Sequence, residues 1–187
     1  MILASASPRR ARILRDLGLS FEVVVSGVDE TMAPHEDPAA AAARIACDKA
    51  RFVAGQGAGR PVLAADTMVV CDGRVLGKPG TPEASVAMLR LLSGRTHDVV
   101  TGVCAIAGGV ERSGVERTAV TFAVLDEAEI AWYVATGETL DKAGAYHVDG
   151  RGALFIRSIE GSPSNVAGLP VTLVRRLLRE VGVRLFP

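Results

Sequence analysis

The sequence has few aromatic residues, few cysteines and no excess of charge of either sign. Aromatic residues make up 4% of the chain, which leaves few side chains for stacking the bases of a single strand. Lys plus Arg and Asp plus Glu number 21 each, whereas a protein that binds nucleic acid normally carries a basic excess. We therefore expect no nucleic-acid polymer as a partner. A small anion held in a local basic pocket remains compatible with this balance.

Long hydrophobic runs and clustered cysteines are also lacking. Charges and glycines interrupt every apolar run before it reaches the ~18 residues of a membrane helix, so no membrane partner is expected. The basic residues near the N-terminus follow a very short apolar segment, which is not the pattern of a secretory signal. Cys47, Cys71 and Cys104 are widely spaced, as expected for reduced, mostly buried thiols in a cytoplasmic protein without a zinc site.

Strand and helix patterns alternate along the 187 residues. Helices are predicted at 8–17, 39–54, 82–92, 126–135 and 171–181, and strands at 2–4, 21–25, 61–65, 68–71, 74–76, 98–107, 115–124 and 154–159. Two loops are predicted at 29–38 and 161–170. The pattern predicts a single domain over 1–187, with a mixed α/β sheet flanked by helices. The adjacent strands in the middle predict a second lobe around 66–140.

The segment that begins the first helix offers a site for an anion. Ser7 can cap the helix, Pro8 suits its first position, and Arg9 and Arg10 follow. Free N–H groups, the helix dipole and two guanidiniums together favour phosphate oxygens. An ordinary capped helix with solvated arginines fits the same residues equally well.

A carboxylate and a hydroxyl follow the apolar run over 61–65. Asp66 is expected at the carboxyl end of this strand, where open α/β sheets bind ligands. It could bind a cation, orient water or take a proton from it, although a turn or cap is the commoner role of a lone Asp. Thr67 could contact the ligand through its hydroxyl or simply begin the hairpin.

Three further charged residues are candidates, each with a plainer alternative. Lys78 lies between Gly77 and Pro79, which restrict the backbone, but the spacing of a phosphate loop is absent. Glu30 lies in an acidic loop that could supply a ligand to a hard cation. Lys49 lies on the predicted helix 39–54. A solvated turn lysine, a solvated acidic loop and a surface helix lysine fit these three residues as well.

Six segments, in order, resemble the Maf family of nucleoside triphosphate pyrophosphatases. They are LASASPRR at 3–10, AADT at 64–67, LGKP at 76–79, LSGRTHDVVTGV at 92–103, GETLDKAGAY at 137–146 and GSPSNVAGLP at 161–170. The resemblance implies a two-lobed fold with a cleft, related to the inosine-triphosphate pyrophosphatases, and often a homodimer. It also implies cleavage of a nucleoside triphosphate to the monophosphate and pyrophosphate, with a divalent cation such as Mg²⁺, Mn²⁺ or Co²⁺.

The resemblance assigns roles to individual residues. It makes Asp66 the catalytic acid and Glu30 a ligand of the cation, and it leaves open whether Asp66 serves as a base, as a second ligand or as both. It relates Arg10, Thr67 and Asp149 to substrate choice. It places Ser7, Arg9, Glu30, Lys49 and Lys78 in the phosphate and metal site. The alternative function for a protein of this kind is a nucleotide-binding regulator of cell division, an inhibitor of septum formation with little or no turnover.

One departure from the family pattern concerns the base. DKAGAY and GLP resemble the branch that acts on dTTP and UTP, but that branch usually reads GIQG after AGAY. This chain reads His147-Val148-Asp149-Gly150. An amide both donates and accepts hydrogen bonds, whereas an ionised carboxylate only accepts them. The preferred base, whether of an ordinary or a modified nucleotide, is therefore left open.

Overall fold

A computed structural model describes residues 1–57 and 59–185, and in this part of the chain it contains seven strands and six α-helices. The strands are β1 (Ile2–Ala4), β2 (Glu22–Val23), β3 (Val62–Cys71), β4 (Arg74–Leu76), β5 (Thr96–Ala107), β6 (Val110–Phe122) and β7 (Ile156–Glu160). The α-helices are α1 (Pro8–Asp16), α2 (Pro38–Gly55), α3 (Pro82–Leu92), α4 (Glu127–Ala135), α5 (Pro163–Val166) and α6 (Val171–Glu180). None of these helices is long and apolar enough to cross a membrane.

The strands form a mixed sheet in the order β2-β1-β3-β5-β6-β7, and β4 pairs with β3. β1 is parallel to both β2 and β3, and its Ile2 lies opposite Val62. The pairs β3–β4 and β6–β7 are antiparallel. Crossover helices connect the parallel strands, as this geometry requires. The predicted fold class, a mixed α/β sheet flanked by helices, is confirmed.

The chain divides into two compact units, and the first comprises Met1–Thr67, Thr101–Glu116 and Gly168–Pro187. Its strand β1 is buried on both faces, between which the side chains of a strand alternate. Leu3 belongs to a cluster with Leu14 of α1 and Leu177 of α6. Ile2 belongs to another cluster with Ala46 of α2. Helices thus cover both faces, which explains why β1 is a continuous apolar run.

The second unit comprises Met68–Val100 and Arg117–Ala167. Its core includes the aromatic residues Phe122, Tyr133, Tyr146 and Phe155. His97 packs edge-on against Phe122 and Tyr146, at ring-centroid distances of 5.2 and 5.4 Å. The lobe expected over about 66–140 stays a prediction, because these units are drawn from several separate stretches of the chain.

Side chains cap several helix starts, and the cap predicted at Ser7 is among them. Ser7 accepts a hydrogen bond from the Arg10 amide, and Thr81 does so from the Ala84 amide. Asp126 and Glu129 form a capping box, each side chain bonded to the other residue's backbone N–H. Such caps satisfy the amides that a helix leaves unpaired at its start.

Several local predictions were wrong. Asp66 does not follow a strand: it lies inside β3, which continues from the apolar run into the predicted hairpin strand without a break. The loop expected over 161–170 contains α5, capped by Ser162. β2 is only two residues long. Leu17, the last residue of the helix predicted at 8–17, lies just after α1 and is exposed.

Candidate functional site

Arg10 is the most highly connected side chain of the first unit's polar site. It projects from the first turn of α1 and is buried. Its Nε donates to the Gly168 carbonyl at 2.8 Å, Nη1 to the Ser5 hydroxyl at 3.2 Å and Nη2 to the Thr67 hydroxyl at 2.9 Å. The guanidinium is therefore held from three directions. A guanidinium carries five N–H groups, so donors remain for a ligand beyond these described bonds.

Burial gives this guanidinium a preference for an anion. Desolvation lowers the pKa of Arg10 from its ordinary value, and the nearby carboxylates of Asp66 and Glu30 act in the opposite direction. Because desolvation has the larger effect, those carboxylates compensate the buried charge only in part. A negatively charged ligand beside Arg10 would stabilise the cation further.

Thr67 connects Arg10 to the neighbouring strand. Its hydroxyl accepts from Arg10 and is also 2.9 Å from the Thr101 hydroxyl on β5. It lies 3.4 Å from the Gly168 carbonyl as well. Gly168 has a φ of 97°, a conformation that favours glycine. Two residues predicted separately, Arg10 and Thr67, thus belong to one hydrogen-bonded group.

A second group joins one ammonium to two carboxylates. Lys49 Nζ lies 2.8 Å from Asp66 Oδ1 and 2.9 Å from Glu30 Oε2. The side chains of Lys49 and Asp66 are 6% and 11% exposed, whereas that of Glu30 is 57% exposed. The pair at 2.8 Å is therefore shielded from water, and Glu30 meets it from the solvent side. Lys49 is consequently not the surface lysine of the plainer alternative.

The start of α1 is ordered by neighbouring hydroxyls. Ser5 Oγ accepts from the Ser7 amide at 3.1 Å, besides accepting from Arg10. Ser7 caps the helix, and the half-buried Arg9 lies on its first turn. Arg9 also lowers the pKa of Arg10 by repulsion. Two guanidiniums that repel each other at a helix start are a suitable place for a polyanion.

The remaining predicted residues, Lys78 and Asp149, belong to the second unit. Lys78 is exposed in the turn after β4. The flanks of this turn are fixed: the Gly77 carbonyl accepts from the Gly144 amide at 3.2 Å, and the Gly80 amide donates to the Leu140 carbonyl at 3.2 Å. This turn therefore lies against the 140–144 segment of the same unit.

Asp149 is exposed in a turn that Glu138 organises. The Glu138 carboxylate accepts from the Tyr133 hydroxyl at 3.1 Å and from the Arg151 and Gly152 amides at 3.3 and 3.4 Å. A side chain on Gly150 would lie 2.3 Å from Glu138 Oε1, so the turn packs against this carboxylate without room for a Cβ. Glu138 thereby holds the backbone that follows Asp149.

Sequence reasoning missed three contributors to the Arg10 group: the hydroxyls of Ser5 and Thr101 and the carbonyl of Gly168. All three lie in the family motifs given above, so those motifs pointed to the right segments. The motifs did not show what the three groups contact, since the bond from Arg10 to Gly168 spans 158 positions of the chain.

The comparisons with known proteins concern the chain as a whole. A family model described as Maf-like protein matches residues 1–181. The chain belongs to the Maf family. This match includes each of the site residues described above.

Curated Maf relatives are similar over nearly their whole length. A dTTP/UTP pyrophosphatase of Moorella thermoacetica is 52% identical, over 98% of this chain and 95% of the relative. Another, of Deinococcus radiodurans, is 50% identical over 100% of this chain and 95% of the relative. Among solved structures, the Staphylococcus aureus Ham1 protein matches with a TM-score of 0.54 at 15% identity, covering 96% of this chain and 97% of that one. At such low identity this last match supports the fold alone.

Proposed function

We propose that this protein is a nucleoside triphosphate pyrophosphatase that hydrolyses the α–β phosphoanhydride of dTTP, UTP or related nucleotides. The observation that carries the proposal is the buried Asp66 carboxylate, whose Oδ1 lies 2.8 Å from Lys49 Nζ. The same unit contains the buried Arg10 guanidinium, which an anion would stabilise. Maf relatives that are about half identical are named dTTP/UTP pyrophosphatases.

The cationic side chains would receive the triphosphate. Arg10 and Arg9 at the start of α1 would bind phosphate oxygens, together with the Ser7 region of the helix start. Lys49 of the same unit would add an ammonium group. Phosphoryl transfer depends mainly on positioning and on neutralising charge, so such a set of cations is suited to the reaction.

Asp66 would act on the attacking water. The water oxygen bonds to the α-phosphorus while the bond from that phosphorus to the α–β bridging oxygen breaks. Pyrophosphate leaves with the electron pair of the broken bond, and the proton of the water passes to Asp66 or to solvent. Because Lys49 holds Oδ1, the orientation of the carboxylate is fixed and Oδ2 would contact the water.

The same carboxylates suit a hard divalent cation. Asp66 and Glu30 both contact the Lys49 ammonium, so their oxygens already converge on a point of positive charge. Magnesium commonly takes one or two carboxylates together with phosphate oxygens, and this donor set fits that requirement. When bound, the cation would neutralise charge on the phosphate oxygens. Mg²⁺, Mn²⁺ and Co²⁺ are the candidates.

Hydrolysis of a panel of triphosphates tests the proposal. The purified protein is incubated with each ordinary and modified nucleotide in Mg²⁺, Mn²⁺ or Co²⁺, and monophosphate and pyrophosphate are quantified. We expect equal amounts of the two products, with dTTP and UTP among the better substrates. Asp66→Asn should abolish turnover, whereas Asp16→Asn, the same change on the exposed face of α1, should not.

The same assay, with nucleotide binding measured beside it, separates the competing interpretations. No cleavage of any triphosphate in any of the metals would overturn the enzymatic proposal. Nucleotide binding without turnover would support the regulator of cell division instead. The homodimer and the cytoplasmic location are further proposals, which the molar mass in solution and fractionation of cells would test.

A further inference from the structure

The first unit contains a cluster of metal-binding side chains apart from the proposed nucleotide site. Cys47 of α2, Cys104 of β5 and Glu111 of β6 each place a ligand atom within 4.8 Å of the other two. Both cysteines are free and buried, and the Glu111 side chain is 33% exposed. The cysteines are far apart in sequence, so no spacing motif of a zinc site connects them.

Close packing of α2 on β5 brings the two thiols together. A Cβ on Gly102 would lie only 2.2 Å from the Ala42 carbonyl oxygen, so the helix approaches the strand where it has no side chain. Cys104 follows Gly102 by two residues and therefore lies on the same face of β5. Cys47 follows Ala42 on α2. The cluster is thus built into the packing of two regular elements.

A neighbouring cation holds the carboxylate of this cluster in place. Arg51 holds Glu111 from the solvent side through two bonds, at 2.9 Å from Nε and 2.8 Å from Nη2. The carboxylate therefore has a fixed position, as a metal ligand requires.

We propose that Cys47, Cys104 and Glu111 bind one thiophilic divalent cation of the zinc class. Two thiolates and a carboxylate are a ligand set that zinc accepts, with water in the fourth position. Binding releases the two thiol protons to solvent, so two thiolates, one carboxylate, the Arg51 cation and the metal ion together carry no net charge. The half-exposed Glu111 gives the ion its path from solvent.

This site differs in chemistry from the one proposed for the substrate's cation. Asp66 and Glu30 offer only oxygen, which suits Mg²⁺, whereas thiolates select softer ions. The two sites use no residue in common. The inference therefore does not depend on the proposed function, and it is tested without substrate.

Cobalt is the probe, because thiolate-to-cobalt charge-transfer absorption reports sulfur ligation directly. The full-length protein is kept reduced with a phosphine and titrated with Co²⁺, and Zn²⁺ is then added. We expect the absorption to saturate at one sulfur-ligated cobalt per chain, with release of about two protons and displacement by zinc. Asp66→Asn should leave the absorption unchanged.

Single substitutions assign the ligands. Cys47→Ala and Cys104→Ala should lose the absorption, and Glu111→Gln should weaken cobalt binding by roughly tenfold or more. Cys71→Ala is the matched control, since Cys71 is a buried cysteine of the second unit. This variant should bind cobalt as the wild type does. Circular dichroism checks that each variant is folded.

Two results would overturn the proposal. One is the absence of sulfur-to-cobalt absorption in the reduced wild-type protein, which decides the matter even if a variant does not fold. The other is unchanged absorption in a folded Cys47→Ala or Cys104→Ala variant.

Discussion

Replacing Lys49 by Met should destabilise the protein more than replacing its partner Asp66 by Asn. The two side chains form a shielded ion pair at 2.8 Å, 6% and 11% exposed. Lys49→Met leaves the Asp66 carboxylate buried without its partner, and breaking a buried pair in this way costs about 3–5 kcal/mol.

The reverse substitution is milder because Lys49 has a second partner. After Asp66→Asn, the ammonium still contacts Glu30 at 2.9 Å, and the Glu30 side chain reaches water with 57% exposure. The loss is then that of one hydrogen bond to a charged group, about 1.5–3 kcal/mol. The double variant removes both buried charges, so its loss should be smaller than the sum of the single losses, by about 1 kcal/mol or more.

The free energies of unfolding of the wild type, the two single variants and the double variant form a double-mutant cycle. Urea denaturation followed by circular dichroism measures these free energies, since urea does not screen charge. The exposed pair Arg12–Asp16 of α1, at 3.6 Å with 73% and 68% exposure, is the matched control, and its cycle should show no measurable coupling. Additive effects of Lys49→Met and Asp66→Asn, within about 0.5 kcal/mol, would refute the reasoning. So would a larger loss for Asp66→Asn than for Lys49→Met.

Three other predictions test particular residues. Burial lowers the pKa of His97 to about 4, so the unfolded state binds the proton more readily than the folded state. The free energy of unfolding should therefore fall by up to about 3 kcal/mol as the pH decreases from about 6.5 to 4, and this fall should be smaller in His97→Gln. Gly102→Ala should lower stability by about 3 kcal/mol, seen as a lower Tm, because its Cβ would meet the Ala42 carbonyl oxygen at 2.2 Å. Asp149→Gln should raise kcat/KM for dTTP and UTP about fivefold, because an amide can donate to a pyrimidine oxygen as well as accept from its N–H.

Each of these has its own control. A pH dependence that is identical in wild type and His97→Gln would contradict the first. Gly27→Ala, where a Cβ has nothing within 4 Å, should leave the Tm unchanged. For Asp149→Gln, equal changes for purine and pyrimidine triphosphates would show that the residue does not contact the base.

The elements that the sequence predicted best are those set by neighbouring residues. Helix α3 was predicted at 82–92, and the structure places it there, with Thr81 as its cap. The helix predicted at 126–135 is also formed, and it begins at a capping box of Asp126 and Glu129. A cap joins residues only two or three positions apart, so a local pattern contains the whole interaction.

Asp66 shows where local patterns are insufficient. A carboxylate after an apolar run usually marks the end of a strand, because an unpaired buried charge is costly. Here the strand continues because Lys49, 17 positions earlier on α2, neutralises the carboxylate inside the fold. No pattern around residue 66 contains that information, and the resemblance to a family supplied the role of Asp66 but not its surroundings.

Arg10 and Thr67 belong to one hydrogen-bonded group and so do not act independently. The resemblance relates Arg10 and Thr67 to substrate choice as separate residues, but one hydrogen bond joins them, and Thr67 also contacts Thr101. Since Ser5 and Gly168 fix the other two sides of the guanidinium, its orientation is set before any nucleotide arrives. A ligand then meets a cation whose ordering entropy has already been lost on folding. Discrimination at this position would therefore depend on how well the ligand fits a rigid donor, and changing Thr67 should alter it through Arg10 even without direct contact.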